Sequence, residues 1–361
     1  MIARGVGTSK TDSRKRRPLT TPLSPEMATA IRASRIKFGR AAPHQADIMG
    51  VSTRQYYRYE RNESPLPAHR IAALYAHTQE HVSARLPANE AGRDFVVGDL
   101  HGHGDALQQF LVAQNFCPES DRVFSTGDLI DRGPDSLATL RLLYEPWFYA
   151  VRGNHEDMLL DFCTGQALYG HPDNSHPLLH NGGEWITRLC PDEQDELWYG
   201  LVPRVALLPH ILIIGNGPKR FHVVHAELDG PKGRVTDALV DRLAQEPDQS
   251  LLPLEYIPGF GDKDRWRIRL LWGRGLIRSE GNTALLPGLS PTFVGHSFVP
   301  YVTQRLSHVF VDTGAASITT GSDSAHITVI EIPHADVASA FATAIRSKPV
   351  PAETARDSGG V

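Results

Sequence analysis

The sequence predicts an α/β (α+β) protein in two folded parts: a small all-α domain at residues 24–82 and a larger mixed domain at residues 95–346. Three observations predict it. At 361 residues the chain exceeds what one hydrophobic core comfortably serves, so about two domains are expected. Between Ser24 and residue 82 the apolar residues recur at helical spacing. From Asp94 onward, short apolar runs end in Asp, Asn or His and helix-like segments follow them.

Residues 1–23 are rich in Thr, Ser, Pro and basic side chains without periodicity, which predicts a disordered basic arm. At Ser24-Pro25 an N-cap and a first-turn proline open a helix whose face is Met27, Ala30, Ile31, Ser34 and Phe38. Ala46, Ile48, Met49, Gly50 and Val51 follow, then Ser52 to Glu60, and Leu66, Ile71 and Leu74 mark a last amphipathic helix. Residues 83–94 read as a linker, and residues 347–361 return to Pro, Ala, Ser and Gly as a disordered tail.

Ala46, Gly50, Val51, Ser52 and Glu60 stand at helix-turn-helix spacing: Ala46 lets two helices approach, Gly50 opens the turn, Val51 plugs the core and Ser52 caps the next helix. The stretch resembles the helix-turn-helix domains of phage repressors and Cro. That resemblance implies that Tyr56 and Tyr59 face inward and that Thr53, Arg54, Tyr57 and Arg58 face a DNA major groove. Arg54 and Arg58 suit guanine edges or phosphate. Ala42 and Pro43 stand where the family carries a polar, backbone-contacting residue, so a protein-docking or dimerising module is the competing reading. By the same analogy a DNA-binding form is a homodimer.

Charge agrees with this division. Residues 1–84 hold 14 Lys and Arg against 6 Asp and Glu, which leaves −12 on the remainder. A basic front suits a polyanion, and an acidic, histidine-rich remainder suits cations. Solubility alone explains such asymmetry about as well. Hydrophobic residues at 41% and charged residues at 22% exclude a disordered or fibrous chain. The longest apolar stretch, Val205 to Ile214, is broken by Pro209 and His210, so no membrane span is predicted. No secretory pattern follows the basic N-terminus, which makes the cytoplasm the expected compartment. Cys117, Cys163 and Cys190 form neither a disulfide framework nor a zinc signature and are expected to be buried free thiols.

The chemistry-bearing residues sit at strand ends. Phe95-Val96-Val97 runs into Gly98-Asp99-Leu100-His101-Gly102, and Val123-Phe124 into Gly127-Asp128-Leu129-Ile130-Asp131-Arg132-Gly133-Pro134. Phe148 to Val151 runs into Arg152-Gly153-Asn154-His155-Glu156, so these loops are expected at the carboxyl edge of one sheet. Two later strands end in His225-Ala226-Glu227 and Gly295-His296-Ser297, and a sixth ends in Asp312-Thr313-Gly314. Carboxylates, neutral imidazoles and an amide oxygen make a thiolate-free site suited to Mn, Fe or Zn. Two such ions sharing one carboxylate can hold a hydroxide and clamp a phosphate for in-line attack.

GDLHG, GDLIDRGPDS, RGNHE, HAE and VGHS, in this order, resemble the calcineurin-like metallophosphoesterases, and within them the lambda-phage-type and bacterial serine/threonine protein phosphatases. Asn181-Gly182-Gly183-Glu184-Trp185 resembles a segment of the same group. The resemblance implies a metallophosphoesterase β-sandwich flanked by helices and two divalent ions, Mn foremost, with Fe or Zn as alternatives. It implies Asp99, His101 and a bridging Asp128 on one ion, and Asp128, Asn154, His225 and His296 on the other. Arg132 matches the family arginine that grips phosphoryl oxygens, Arg274 the second such arginine, and His155 the general acid, oriented by Asp131. Asn154 would also touch substrate.

Other residues have blander readings. His222 precedes His225 by three positions on a strand and is read as structural on the opposite face, Asp312 as a turn cap, and His103 as an exposed loop histidine. Three functions compete. The first is a phosphatase of phosphoserine and phosphothreonine, with a phosphoprotein or small phosphorylated substrate. The second is a dinucleoside polyphosphate hydrolase, and the third a DNA-binding regulator with a phosphatase or sensor lobe. The family resemblance favours the first, because the dinucleotide hydrolases tend to replace the Asp of DRG and the Glu of GNHE, here Asp131 and Glu156.

Overall fold

The computed structural model describes residues 51–61, 83–164, 176–228, 235–245, 265–279, 284–322, 324–333 and 348–350, with positions 32, 35, 36, 41–43, 46, 63, 64 and 337 besides. Eleven strands among these residues form two sheets. The five-stranded sheet runs β11 (Lys348–Val350), β10 (Ile327–Ile332), β2 (Asp94–Val97), β3 (Arg122–Ser125), β4 (Phe148–Ala150). The six-stranded sheet runs β1 (Ser83–Leu86), β5 (Ile211–Ile214), β6 (Phe221–Val224), β7 (Thr292–Val294), β9 (His308–Phe310), β8 (Thr303–Arg305).

Period-two alternation explains the layering. In the six-stranded sheet, Leu212, Ile214, Phe221, Val223, Phe293 and Val309 join the main core with Phe95, Val97 and Phe124 of the other sheet. Their neighbours Ile211, Ile213, Val224, Val294 and Phe310 face a second core with Val240 and Leu270. Phe124 meets Phe221 edge-on at 5.7 Å, and Phe221 meets Phe293 at 5.7 Å, so aromatic packing ties one sheet to the other. The strands β2, β3 and β4 are mutually parallel, as are β6, β7 and β9, so each group presents its carboxyl ends along one edge.

Helices follow β2, β3 and β4. Helix α2 spans Gly104–Ala113, α3 Ser136–Arg141 and α4 Asn154–Thr164. In the N-terminal part, helix α1 spans Thr53–Glu60 and is capped by Ser52, whose Oγ accepts from Gln55 N at 3.2 Å. Tyr56 and Tyr59 are buried, whereas Arg54, Tyr57 and Arg58 are exposed and Thr53 is half-buried. Ala46 is fully buried, and its carbonyl accepts from Val51 N at 3.0 Å. The expectations on Met27, Ala30, Ile31, Ser34, Phe38, Ile48, Met49, Gly50, Leu66, Ile71 and Leu74 lie outside the described residues.

Two boundaries differ from the sequence reading. The front of the expected linker is β1, paired in parallel with β5 from Ser83↔Ile211 to Leu86↔Ile214. Ala84 and Leu86 turn into the core while Arg85 reaches Asn216, an alternation too short to register in sequence. Within the expected tail, Lys348–Val350 pair antiparallel with β10.

Candidate metal centre

The loops after six strands converge. Asp99 and His101 follow β2, Asp128, Asp131 and Arg132 follow β3, and Asn154, His155 and Glu156 open α4 after β4. His225 follows β6, His296 follows β7 and Asp312 follows β9. The loops are stitched across the sheets: His296 N donates to Asp99 Oδ2 at 2.9 Å, and His225 Nδ1 lies 2.8 Å from Thr126 O. Five site residues hold left-handed backbone without being glycine: His101 (φ 40°), Asp128 (47°), Asp131 (74°), Arg132 (69°) and His296 (60°). Such strain persists only where the surroundings fix it, and it concentrates at functional sites. Gly153 is required by close approach, since a Cβ there would stand 2.2 Å from Asp128 Oδ1.

Two buried triads share one carboxylate. His101, Asp128 and His155 form one, and Asp128, His225 and His296 the other, each with ligand atoms within 4.8 Å of one another. Asn154 Oδ1 lies 2.8 Å from His225 Nε2 and 3.0 Å from His296 Nδ1, which places it in the second group. Asp99 falls outside both triads but adjoins them through His296 N and through Thr126 Oγ1, which donates to it at 2.9 Å.

The donor set fits a cation. His101 Nδ1 lies 2.9 Å from the Ile130 carbonyl, so a neutral ring donates there and turns a bare Nε2 toward Asp128 Oδ2, 3.7 Å away. Burial, then the neighbouring His155, pushes the His101 pKa down to about 3, so the ring is neutral. Likewise His225, committed to Thr126 O, aims a bare Nε2 at the Asn154 amide oxygen. Burial lowers its pKa too. Lone pairs facing oxygen ligands are unfavourable unless a positive ion lies among them. Burial also raises the Asp99 carboxyl well above the usual range, with repulsion from Asp312 and Asp128 adding to it. Burial opposes ionisation of Asp128 as well, but the surrounding imidazole cluster holds it below the usual carboxylate range, and within that cluster His155 is the ring whose own pKa is raised.

Beside the triads lies a dyad. His155 Nδ1 meets Asp131 Oδ2 at 2.6 Å, both groups buried. Burial disfavours the imidazolium, yet the carboxylates of Asp128 and Asp131 outweigh it and raise the His155 pKa. Arg132, next in sequence to Asp131, is exposed. Arg274 is exposed too and donates from Nε to His296 Nε2 at 3.1 Å and from Nη2 to His296 O at 3.2 Å.

Three bracing residues were not assigned a role from sequence. Glu156 accepts from Gly153 N and Asp128 N at 2.9 Å and from Leu129 N at 2.8 Å, so it ties the β4 loop to the β3 loop. Burial raises its pKa to about 7. Glu227 accepts from Gly275 N at 2.9 Å and Leu276 N at 2.6 Å, which anchors the chain directly after Arg274. Trp185 Nε1 donates to Asp131 Oδ1 at 2.7 Å. The motifs flagged all three positions; their partners lie too far along the chain to be read from spacing.

Elsewhere the outcomes are mixed. His222 is buried on the outer face of β6 beside Arg220 and Thr292, away from the triads. Asp312 Oδ1 accepts from Gly314 N at 2.9 Å, a turn cap. His103 is a correction: it is buried, not exposed, because its ring packs behind Gly133, where a Cβ would lie 3.0 Å from it. Cys163 is buried, but Cys117 and Cys190 are exposed, another correction, because Cys117 opens a surface turn closed by Ser120 N and Cys190 caps the short helix Pro191–Asp195.

Comparison with known proteins places this geometry. A model of the calcineurin-like phosphoesterases matches residues 95–304. Serine/threonine-protein phosphatase 2 of Escherichia coli (strain K12) is 30% identical over 253 residues, covering 69% of this chain and 94% of that protein. Serine/threonine-protein phosphatase 1 of Salmonella typhimurium is 40% identical over 150 residues, 41% of this chain and 65% of that protein. The symmetrical bis(5'-nucleosyl)-tetraphosphatase of Dechloromonas aromatica is 42% identical over 83 residues, 22% of this chain and 30% of that protein. With the matched region spanning every strand end that carries the triads, the chain belongs to the calcineurin-like phosphoesterase family.

Proposed function

We propose that the protein is a two-metal phosphomonoesterase that hydrolyses phosphoserine and phosphothreonine in proteins. The family uses divalent ions, and the observation that carries the finer reading is the buried His155–Asp131 pair at 2.6 Å beside Asp128. Cleaving a serine phosphate expels an alkoxide, a poor leaving group unless a proton arrives as the bond breaks. Cleaving a dinucleoside polyphosphate expels a nucleotide phosphate already stable as an anion. An acid held ready by a carboxylate is therefore useful to the first reaction and dispensable in the second. The relatives include enzymes named for both substrates, so the dyad, not the likeness, supports this choice.

In this reading Asp99, His101 and Asp128 hold one ion, and Asp128, Asn154, His225 and His296 the other. Manganese fits the mixed oxygen and nitrogen donors, with iron and zinc close behind. Bound ions supply Lewis acidity toward water and the phosphoryl oxygens. The chain supplies the rest: Arg132 and Arg274 grip phosphoryl oxygens, Asn154 adds a polar contact, and His155 passes its Nε2 proton to the departing oxygen while Asp131 holds Nδ1. The N-terminal part, residues 24–82, would bind duplex DNA through Thr53, Arg54, Tyr57 and Arg58, supported by the exposure of Arg54, Tyr57 and Arg58 while Tyr56 and Tyr59 are buried.

The test sets manganese-loaded protein against a phosphopeptide panel and diadenosine tetraphosphate at equal concentrations. A preference for a phosphoserine peptide above about tenfold in kcat/KM, roughly 1.4 kcal/mol of transition-state binding, is expected. The reverse preference contradicts the reading.

A further inference from the structure

A chain of hydrogen bonds leads from the half-buried Trp185 to the dyad. Trp185 lies in the 3-10 helix Gly183–Arg188, and its Nε1 donates to Asp131 Oδ1 at 2.7 Å while Asp131 Oδ2 meets His155 Nδ1 at 2.6 Å. Both carboxylate oxygens are thus engaged, one by the indole and one by the imidazole. The backbone beneath them is strained, because Asp131 and Arg132 are consecutive non-glycine residues at φ 74° and 69°. Ser136 Oγ accepts from Asp131 N at 2.8 Å and fixes the turn from one side. The segment before Trp185 presses on it from the other: a Cβ at Gly182 would stand 2.7 Å from Arg132 N and 2.9 Å from its Cγ. One short segment therefore touches both residues of the strained pair. Phosphoryl chemistry itself makes no use of the indole.

We propose that Trp185 is a positioning residue for proton delivery: its N–H locks the Asp131 carboxylate so that Oδ2 stays on His155 Nδ1. The proposal rests on the reading of His155 as general acid. An aspartate carboxylate rotates broadly about its last bond, and a single partner leaves that rotation open. A second donor on the other oxygen closes it. His155, held through Nδ1, then keeps Nε2 on one line of approach to a leaving oxygen.

The test removes only the donor. Full-length, manganese-loaded protein carrying β-(3-benzothienyl)alanine at position 185, which keeps the bicyclic shape and replaces N–H with sulfur, is compared with Trp185→Phe and the native chain. Turnover of a phosphoserine peptide should fall about tenfold in both, the lower end of what loss of an orienting partner costs, with KM within about twofold. Nitrophenyl phosphate, whose leaving group needs little protonation, should lose less. In an Asp131→Asn background the same replacements should add nothing, because the group they orient is gone. A separate readout is the indole N–H proton resonance of Trp185 in metal-free protein, expected to move upfield in Asp131→Asn. Equal losses for both substrates, or losses that multiply with Asp131→Asn, would overturn the proposal. If His155→Asn itself affects both substrates alike, the general-acid reading has failed; if His155→Asn is selective and the Trp185 variants are not, this proposal alone has failed.

Discussion

The loops after β2, β3 and β4 and those after β6 and β7 make unlike contributions to one site. The five-stranded sheet supplies the carboxylates Asp99 and Asp128, the imidazole of His101, the amide of Asn154 and the His155–Asp131 pair, on backbone with four left-handed non-glycine residues. The loops after β6 and β7 of the six-stranded sheet supply only imidazoles to the triads, His225 and His296, with one strained residue, His296. Bracing differs accordingly. Glu156, Ser136 and Trp185 fix the first group from three directions, whereas Glu227 anchors the segment after Arg274. Strain is thus matched by hydrogen bonds from Glu156, Ser136 and Trp185 in the half that holds most of the candidate ligands, and Asp128 belongs to both triads.

That asymmetry can be broken in order of effect. Asp128→Asn should abolish phosphatase activity, because a neutral amide cannot serve two cations at once; near-native turnover with full metal content would remove Asp128 from the bridge. His155→Asn should cost about 10²–10⁴-fold on a phosphoserine peptide and much less on nitrophenyl phosphate, and equal losses would point to a positioning role. The two bracing glutamates separate the halves. Glu156→Gln sets an amide against N–H donors at the Asp128 loop, so metal affinity should fall about 10–100-fold, measured by competition with a chelator. Glu227→Gln should leave metal content intact and raise KM for phosphopeptide about tenfold, through a looser Arg274. Metal loss in Glu227→Gln, with none in Glu156→Gln, would invert the comparison. The smallest effect is expected from deleting residues 1–82: nitrophenyl phosphate turnover should stay within about twofold, since every proposed ligand lies later in the chain. Duplex DNA binding by the full chain should disappear with that deletion and should weaken steeply with salt beforehand.

The candidate ligand positions were legible because each is local: an apolar strand, then Asp, Asn or His, with a Gly between as in Val97-Gly98-Asp99 or directly as in Val224-His225. Strand alternation also placed His222 on the face opposite the main core. What spacing does not carry is contact between distant segments. Glu156 reaches the Asp128 and Leu129 amides 28 and 27 residues back, and Trp185 reaches Asp131 across 54. Ser83–Leu86 looked like linker because four residues with one outward arginine give too short a pattern, and only β5 makes them a strand. His103 looked like a loop histidine because its neighbours are Gly102 and Gly104, yet the β3 loop closes over it at Gly133.

The most direct test of the central claim, that both sheets build one two-metal phosphatase site, counts ions and turnover on the same samples. Metal-free protein is titrated with manganese while bound ions per chain and phosphoserine-peptide hydrolysis are recorded together. The account predicts saturation at about two ions per chain, with turnover rising only as the second binds. Full turnover at one ion per chain, or with none, would contradict it.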